Sequence, residues 1–399
     1  MISNLKILFV WLIVISLGDN LYAMSVVKAN KDLDRNLSRG VNINFTVTEE
    51  NGHLTHVNDL INQITEEDVL RIKSIGMTHV RLALSPYPLM QDGLFRNEKW
   101  RGKNATLFLA SVHRIIRLFA NHRILVVLAV MPNEESFRRL YRNPKETDAW
   151  EAFFRAWGKE FSIYSPSQLL FETLNEPRFV LFLAKELHVA TDEDHRYPPL
   201  LLQQANARWI PIESRLLLAL RSSLPQHTLI ATSDGFSDPI ALTLRTPIED
   251  SNIIYTFHYY MPLLFTHQSA TWFEFPGSHI SGLTYPSKEA NCKSANLPIK
   301  DLVTLHYCVS GWNIERHRKY MSKVQNWSRR HRVTVWLGEF GAYLKAIDAE
   351  SRRNYYQDIR TVAEENSFGW CAWEYVGWLG RFLELQTNSA LSYHVETSY

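Results

Sequence analysis

Residues 168–177 read QLLFETLNEP, a run of mainly apolar residues that ends in Asn175, Glu176 and Pro177. A second run of this kind, VWLGEFG at 335–341, carries Glu339 near its end. Short continuous apolar runs are typical of strands that are buried on both faces, as in parallel sheets. Each stretch therefore predicts an interior strand with a glutamate at its C-terminal end.

Six further apolar runs occur along the chain, and longer amphipathic segments alternate with them. Eight strand–helix units in one chain predict a single (β/α)8 TIM barrel, with an open doubly wound sheet as the alternative. The predicted strands are 40–45, 79–84, 124–130, 169–174, 228–232, 253–257, 334–337 and 369–373. The predicted helices are 66–75, 107–121, 148–161, 200–222, 312–330 and 351–366, with a short one near Asp238.

The alternation is irregular in two places. A long aromatic stretch, 263–307, follows the sixth predicted strand and contains Trp272, Phe273, Phe275 and Tyr285. We expect it to form an extended loop that walls one end of a cleft. The residues after Trp373 have no helical period, so the eighth helix is predicted to be short or divergent.

The N-terminus has the composition of a secretory signal peptide. Lys6 is followed by the apolar stretch 7–17 and by a polar break before Ala23. The apolar stretch is too short to span a bilayer comfortably. We therefore predict a signal peptide over 1–23, a catalytic domain over 24–399 and a secreted or periplasmic protein without stable membrane insertion after cleavage. An uncleaved anchor is the alternative.

Charge and cysteine content narrow the classes of partner. The net charge is +2 and no run of five or six like charges occurs, so neither nucleic acid nor an anionic membrane is indicated. Phosphate-loop, metalloprotease-helix, serine-elbow and zinc-spaced cysteine motifs are absent from the sequence, so no cofactor or metal is predicted. A monomer is expected. Cys292 and Cys308 are the plausible disulfide pair, and Cys371 is predicted to be a buried thiol.

Polar and aromatic side chains gather at the predicted strand ends, where barrel enzymes place their reacting groups. Cleavage of a glycosidic bond needs one carboxylic acid and one carboxylate on opposite sides of the bond, so Glu176 and Glu339 form a candidate pair. Pro177 favours an extended backbone at Glu176. The small residues beside Glu339 would let a substrate approach closely.

Three further residues are predicted to support this pair and to line the substrate site. Arg81 can hold Glu339 ionised, although a purely structural ion pair is the alternative. His258 and Tyr260 lie two positions apart on an extended segment and face the same way. Tyr260 is expected to donate a hydrogen bond to Glu339, and His258 to contact a sugar hydroxyl or to serve a structural role.

These strand ends resemble, in the same order, those of glycoside hydrolase family 5, the cellulase family. The resemblance extends over about residues 38–378, and the ordered set is more specific than any single motif. The matching motifs are Gly40-Val41-Asn42, His79-Val80-Arg81-Leu82, Asn175-Glu176-Pro177, His258-x-Tyr260, Gly338-Glu339-Phe340-Gly341 and Trp373-Glu374-Tyr375.

The resemblance implies a retaining β-glycosidase in which Glu176 is the acid/base, with a raised pKa, and Glu339 the nucleophile, with a low pKa. It also implies that Asn175 contacts the sugar 2-hydroxyl and that Trp373 forms the floor under the sugar ring. Many family members have histidine at the end of the third strand, where this chain has Met131. Asn133 or Asn44 can substitute for that polar contact.

The substrate predicted from the resemblance is a β-linked glucan, cleaved by an endo-β-1,4-glucanase. The alternatives are a β-mannanase, a β-1,3-glucanase, a β-glucosidase with a closed pocket, or a carbohydrate-binding barrel without turnover. Substrate choice depends on the loops, predicted here at 56–63, 90–101, 180–197 and 263–307.

Overall fold

A computed structural model gives the positions of most of the chain between residues 35 and 375. The residues that it describes are 35–45, 48–50, 53–55, 64–90, 95, 100, 102–143, 145–192, 194–271, 279–288, 302–344 and 346–375.

Eight parallel strands close into a barrel, which confirms the predicted fold over the open sheet. Neighbouring barrel strands pair in chain order, and β10 returns to pair with β1. Two short strands, β2 (Thr48–Glu50) and β3 (His53–Thr55), form a separate antiparallel hairpin. The barrel strands are β1 (Arg39–Phe45), β4 (His79–Leu84), β5 (Leu125–Val130), β6 (Leu169–Leu174), β7 (Leu229–Ala231), β8 (Ile253–Tyr259), β9 (Val335–Phe340) and β10 (Gly369–Ala372).

Helices surround the barrel, and the long ones lie within a few residues of their predicted bounds. They are α1 (Glu66–Ser74), α2 (Lys103–Asn121), α3 (Glu134–Arg142), α4 (Glu146–Phe161), α5 (Phe179–Leu187), α6 (Pro199–Arg221), α7 (Asp234–Ser237), α8 (Pro239–Thr243), α9 (Leu263–Thr266), α10 (Leu302–Val309), α11 (Ile314–His331) and α12 (Ala349–Glu365). A 3₁₀ turn covers Tyr87–Leu89.

The two faces of the strands bury different kinds of side chain. One set of alternate residues packs with the helices in the large outer core. The other set faces the interior of the barrel, where a small apolar cluster includes Leu125, Leu170 and Trp336. Because side chains alternate along a strand, Glu172 lies on the same face of β6 as Leu170, one step nearer the C-terminal end. A polar layer therefore sits above an apolar one inside the barrel.

The prediction of a loop over 180–197 is wrong in its first half, because α5 occupies that part of the segment. The sequence FVLFLAKEL of this helix is apolar nearly all round, so it lacks the period that marks an amphipathic helix. The extended segment after β8 is present, and its described part contains α9 and α10.

Several predictions concern residues outside the described part of the chain. These are the signal peptide at 1–23, the eighth helix after residue 375, Cys292, and the aromatic residues Trp272, Phe273 and Phe275. Cys308 is disulfide-bonded, and Cys371 is a free, buried thiol as predicted. Among the described helices, none has both the length and the apolarity that a membrane crossing requires.

Candidate active site

Arg81, on β4, is the centre of the polar layer. Its Nε and Nη2 donate to the two carboxylate oxygens of Glu172, each at 2.7 Å. Nη1 donates to Glu339 Oε1 at 2.7 Å and to Asn42 Oδ1 at 2.9 Å, and Nη2 donates to Asn175 Oδ1 at 2.7 Å. Arg81 is fully buried. The geometry therefore supports a role in positioning Glu339 and Asn175, and it gives no support to the predicted direct contact with substrate.

Glu339 is held from two further sides by residues of β8 and the segment after it. The Tyr260 hydroxyl donates to Oε2 at 2.9 Å, and His258 Nδ1 lies 3.4 Å from the same oxygen. Burial and the charges of Glu339 and Glu176 raise the pKa of Tyr260 well above its ordinary value, so its hydroxyl stays protonated and remains a donor. The predicted contact between Tyr260 and Glu339 is present.

Glu176 follows β6 in a conformation that the sequence did not predict. Its φ of +49° lies in the left-handed region, whereas Pro177 led us to expect an extended backbone. A non-glycine residue in this region costs about 1–3 kcal/mol, which the surrounding structure must offset. Phe236 N–H donates to the Pro177 carbonyl at 2.9 Å and helps to fix this turn. The turn points the Glu176 carboxylate at His258 Nδ1, 3.0 Å from Oε1.

Glu176, His258 and Glu339 therefore form a compact group. One ligand atom from each residue lies within 4.8 Å of the other two, so the two carboxylates face each other across a short gap. A nitrogen and two carboxylate oxygens at this spacing can also hold a divalent cation. The described residues contain no second group of this kind.

The pKa shifts of the two glutamates run opposite to the predicted ones. Burial acts to raise the pKa of Glu176, but the hydrogen bond and charge of His258, together with Arg178, lower it below its ordinary value. Burial and the charge of Glu176 raise the pKa of Glu339, against the opposing effect of His258 and Arg81. The physical reason is that His258 lies closer to Glu176 than to Glu339.

Asn175 Nδ2 is a buried donor without a hydrogen-bond partner among the described residues, and Arg81 holds Asn175 close to Glu339. Buried polar atoms in proteins nearly always have partners, so this donor is a candidate to bind a polar ligand at the two carboxylates. Other buried polar atoms without a partner lie elsewhere in the protein, such as Trp209 Nε1.

The structure also places the other residues that were predicted to contact substrate. Trp373 is half-buried, and its carbonyl accepts from the Tyr356 hydroxyl at 2.9 Å, so its indole remains a candidate for the floor of the site. Asn133 Oδ1 caps α3 by accepting from Ser136 N–H. Asn44 forms a hydrogen bond with Glu374. The side chains of both asparagines are thus already engaged near the position of Met131.

Gly338 leaves no room for a side chain. A Cβ built there would overlap Thr256 Oγ1 and lie 3.3 Å from His258 Nε2. We expect Gly338→Ala to lower the free energy of unfolding by about 1–3 kcal/mol and to reduce kcat by displacing His258. Chemical denaturation and initial rates test this. The double variant Gly338→Ala/Thr256→Ala should regain stability. If Gly338→Ala alone were as stable and as active as the wild type, the steric argument would be contradicted.

Glu374 makes stability depend on pH. Burial, with the charge of Glu339, raises its pKa from 4.5 to about 8. The folded protein then holds a proton that the unfolded chain releases, so the free energy of unfolding should fall as pH rises from 4.5 to 8. Glu374→Gln should flatten this fall. Thermal unfolding of both proteins at several pH values measures the effect, and equal slopes would contradict it.

Arg178 is a residue that sequence reasoning missed. Its Nε donates to the Glu176 carbonyl at 3.3 Å, and Nη2 lies 3.9 Å from the Glu176 carboxylate. The guanidinium is centred 5.3 Å from the Phe137 ring and 5.0 Å from the Phe236 ring. Two aromatic rings therefore hold a cation beside Glu176. Its place directly after Pro177 was the only available signal.

Removing this cation should change the pH dependence of the reaction. Arg178→Met is expected to raise the pKa of Glu176, which is the lower of the two in the free enzyme. The acidic limb of the profile of kcat/KM should therefore move upward by roughly half a pH unit. Arg178→Lys keeps the charge and should move this limb less. Profiles of the three proteins are measured on one soluble substrate, and superimposable acidic limbs would exclude this role for Arg178.

A closed β/α barrel that carries paired carboxylates at the C-terminal ends of its strands has the architecture of a glycoside hydrolase. The family model described as Cellulase (glycosyl hydrolase family 5) matches residues 39–377. The chain therefore belongs to glycosyl hydrolase family 5 and is a glycoside hydrolase.

Its relatives are distant in sequence. Endoglucanase 3 of Fibrobacter succinogenes is 24% identical over 356 residues, which cover 86% of this chain and 50% of that protein. Endoglucanase C of Acetivibrio thermocellus is 24% identical over 322 residues, which cover 78% of this chain and 84% of that protein. The chain thus spans half the length of the first relative and most of the second.

Solved structures share the fold. One endoglucanase has a TM-score of 0.65 at 22% identity and covers 90% of this chain and 99% of its own. Cel5A of Thermotoga maritima in complex with mannotriose has a TM-score of 0.64 at 22% identity, with coverage of 90% and 97%.

Proposed function

We propose that this protein is a secreted, retaining endo-β-1,4-glucanase in which Glu339 is the nucleophile and Glu176 the acid/base. The short gap between the two carboxylates is the observation that carries the proposal, because one oxygen of Glu176 lies within 4.8 Å of one oxygen of Glu339. A gap this short favours the retaining arrangement, with carboxyl groups about 5–5.5 Å apart, over the inverting one, which needs about 6.5–9.5 Å to admit a water.

The reaction proceeds in two displacements. The Glu339 carboxylate attacks the anomeric carbon while Glu176 gives its proton to the departing glycosidic oxygen, which leaves a glycosyl ester on Glu339. Glu176 then takes a proton from water, whose oxygen attacks the anomeric carbon and releases Glu339. Arg81 and Tyr260 keep Glu339 oriented through both steps.

Substrate has to move the proton between the two glutamates. In the unliganded protein His258 favours ionisation of Glu176, whereas the first displacement needs Glu176 protonated and Glu339 ionised. We infer that the glycosidic oxygen replaces His258 as the partner of Glu176. Arg81 and Tyr260 meanwhile keep their hydrogen bonds with Glu339 and favour its ionised form.

The remaining site residues suit a sugar. Asn175 Nδ2 is a buried donor without a partner among the described residues, next to the carboxylate pair. It is positioned through its oxygen by Arg81 and can donate to a 2-hydroxyl group. The Trp373 indole supplies an apolar surface for the ring, and His258 Nδ1, once substrate has replaced it at Glu176, supplies a further polar contact.

The choice of β-1,4-glucan follows the endoglucanases among the relatives and a similar solved structure described as an endo-β-1,4-glucanase in complex with substrate. A mannan substrate is the second candidate, because a related structure is described with mannotriose as substrate. Hydrolysis of β-1,3-glucan, a β-glucosidase activity and binding without turnover rank behind these two. We further propose that residues 1–23 direct export and that the mature protein is a monomer.

A substrate panel tests this function. Soluble β-1,4-glucan, β-1,3-glucan and β-mannan are incubated with the wild type, with Glu339→Gln and with Glu350→Gln, an exposed glutamate of α12 that serves as a matched control. We expect the wild type and Glu350→Gln to release reducing ends and to lower viscosity rapidly on β-1,4-glucan, and Glu339→Gln to do neither. Binding without release by the wild type would favour a non-catalytic barrel, and faster release from mannan would overturn the glucan assignment.

A further inference from the structure

A basic pocket of about 380 Å³ lies outside the active site. Its lining residues are Arg196, Arg316, Lys319, Tyr320 and Lys323, and no acidic residue is among them. Four come from α11, and Arg196 comes from the segment that leads into α6. The two carboxylates of the active site belong to other elements, so this pocket is a separate place on the molecule.

Helix α11, which supplies four of the five lining residues, has a short neighbour on one side. The segment after β7 forms only the short helices α7 and α8, whereas α6 and α11 have 23 and 18 residues. Helix α8 packs against both α6 and α11 but has only 5 residues.

The arginines of the basic pocket are neutralised within the protein. Arg196 donates to Asp192 Oδ2 at 2.9 and 2.6 Å. Arg316 donates to Asp194 Oδ2 at 2.8 Å, and its guanidinium lies 4.3 Å from the Trp312 ring. These contacts fix both guanidinium groups as a rigid wall.

The lysines of the basic pocket form no ion pair among the described residues. Lys319 and Lys323 are exposed, and the buried Asp238 carboxyl group interacts electrostatically with Lys323 without direct contact. Lys323 Nζ instead lies 5.4 Å from the Tyr320 ring. Lys319 and Lys323 lie four residues apart on one face of α11, so their like charges repel each other. An anion in the pocket would remove that repulsion.

We propose that the basic pocket binds a saccharide that carries an anionic group, such as the carboxylate of a uronic acid or a phosphate or sulfate ester. The two lysines would contact the anion as mobile point charges, and the fixed guanidinium groups would add directed donors. The volume exceeds what a bare oxyanion needs and falls in the range of small-molecule sites. The sugar would fill the rest of the space.

The experiment is titration calorimetry of the full chain at low ionic strength, with glucuronate, glucose 6-phosphate, glucose 6-sulfate, glucose and inorganic phosphate as probes. Binding is compared for the wild type, Lys319→Ala/Lys323→Ala, and Lys73→Ala/Lys159→Ala. The last variant removes two exposed lysines elsewhere, so it matches the change in net charge.

We expect saturable 1:1 binding of at least one anionic sugar and none of glucose. The pocket variant should bind at least tenfold more weakly, and the control variant should bind like the wild type. The three anionic sugars show which oxyanion is preferred. Absence of saturable binding, or equal weakening in both variants, would overturn the proposal. Inorganic phosphate binding as tightly as the anionic sugars would refute recognition of the saccharide. Turnover is not measured, so failure here is distinct from failure of the proposed function.

Discussion

Replacement of Glu339 by glutamine is expected to lower kcat on the order of 10⁴-fold or more, because the amide cannot form the glycosyl ester and nothing else in the site can replace it. The fold should survive. The amide oxygen can still accept from Arg81, and the amide nitrogen can donate to the Tyr260 hydroxyl, although the charge of the buried ion pair is lost. Steady-state rates, with circular dichroism as the check on folding, measure the effect.

The matched experiment is Glu176→Ala, which should separate the two roles. This variant keeps the nucleophile, so aryl glycosides with good leaving groups, which need no proton, should still form the glycosyl enzyme. Activity on polysaccharide should fall steeply while activity on the activated substrate falls much less. Equal residual activity of both variants on both substrates would contradict the assignment of roles.

Replacement of Arg81 by methionine is expected to lower the free energy of unfolding by about 3–5 kcal/mol, because it leaves the buried carboxylates of Glu172 and Glu339 without their cation. It should also reduce kcat strongly, since Asn175 and Glu339 both lose the group that orients them. Denaturant titration and initial rates on one soluble glucan measure the two effects.

A surface arginine supplies the control. Arg138 pairs with Glu134 and Glu135 on the exposed side of α3, so Arg138→Met should change the free energy of unfolding by less than about 1 kcal/mol. If Arg81→Met were as stable and as active as this control, the polar layer would not support the active site in the way described.

The barrel was predictable because each barrel strand is a short apolar run. A glutamate at the end of two such runs was visible as soon as the runs were recognised. Glu172 was not recognised as a partner of Arg81, because a single charged residue inside a strand shows neither which face it occupies nor which distant side chain it meets. The pairing of Arg81 with Glu172 exists only in the closed barrel.

The geometry at Glu176 was mispredicted for a related reason. Its left-handed backbone is fixed by tertiary contacts, such as that of Phe236 with the Pro177 carbonyl, which outweigh the local preference before proline. The order of the two pKa values likewise depends on a difference of a few tenths of an ångström in the distance from His258 to each carboxylate. Neither contact has a signal in the local sequence.

Covalent trapping tests the central claim most directly. The wild type is incubated with an activated 2-deoxy-2-fluoro-β-cellobioside, whose glycosyl enzyme turns over slowly, and is then digested and analysed by mass spectrometry. We predict one fluorosugar per chain, attached to the peptide that contains Glu339, and no adduct on Glu339→Gln. An adduct on another residue would contradict Glu339 as the nucleophile. Release of the inverted anomer as the first product from a β-1,4-glucan would contradict a retaining mechanism.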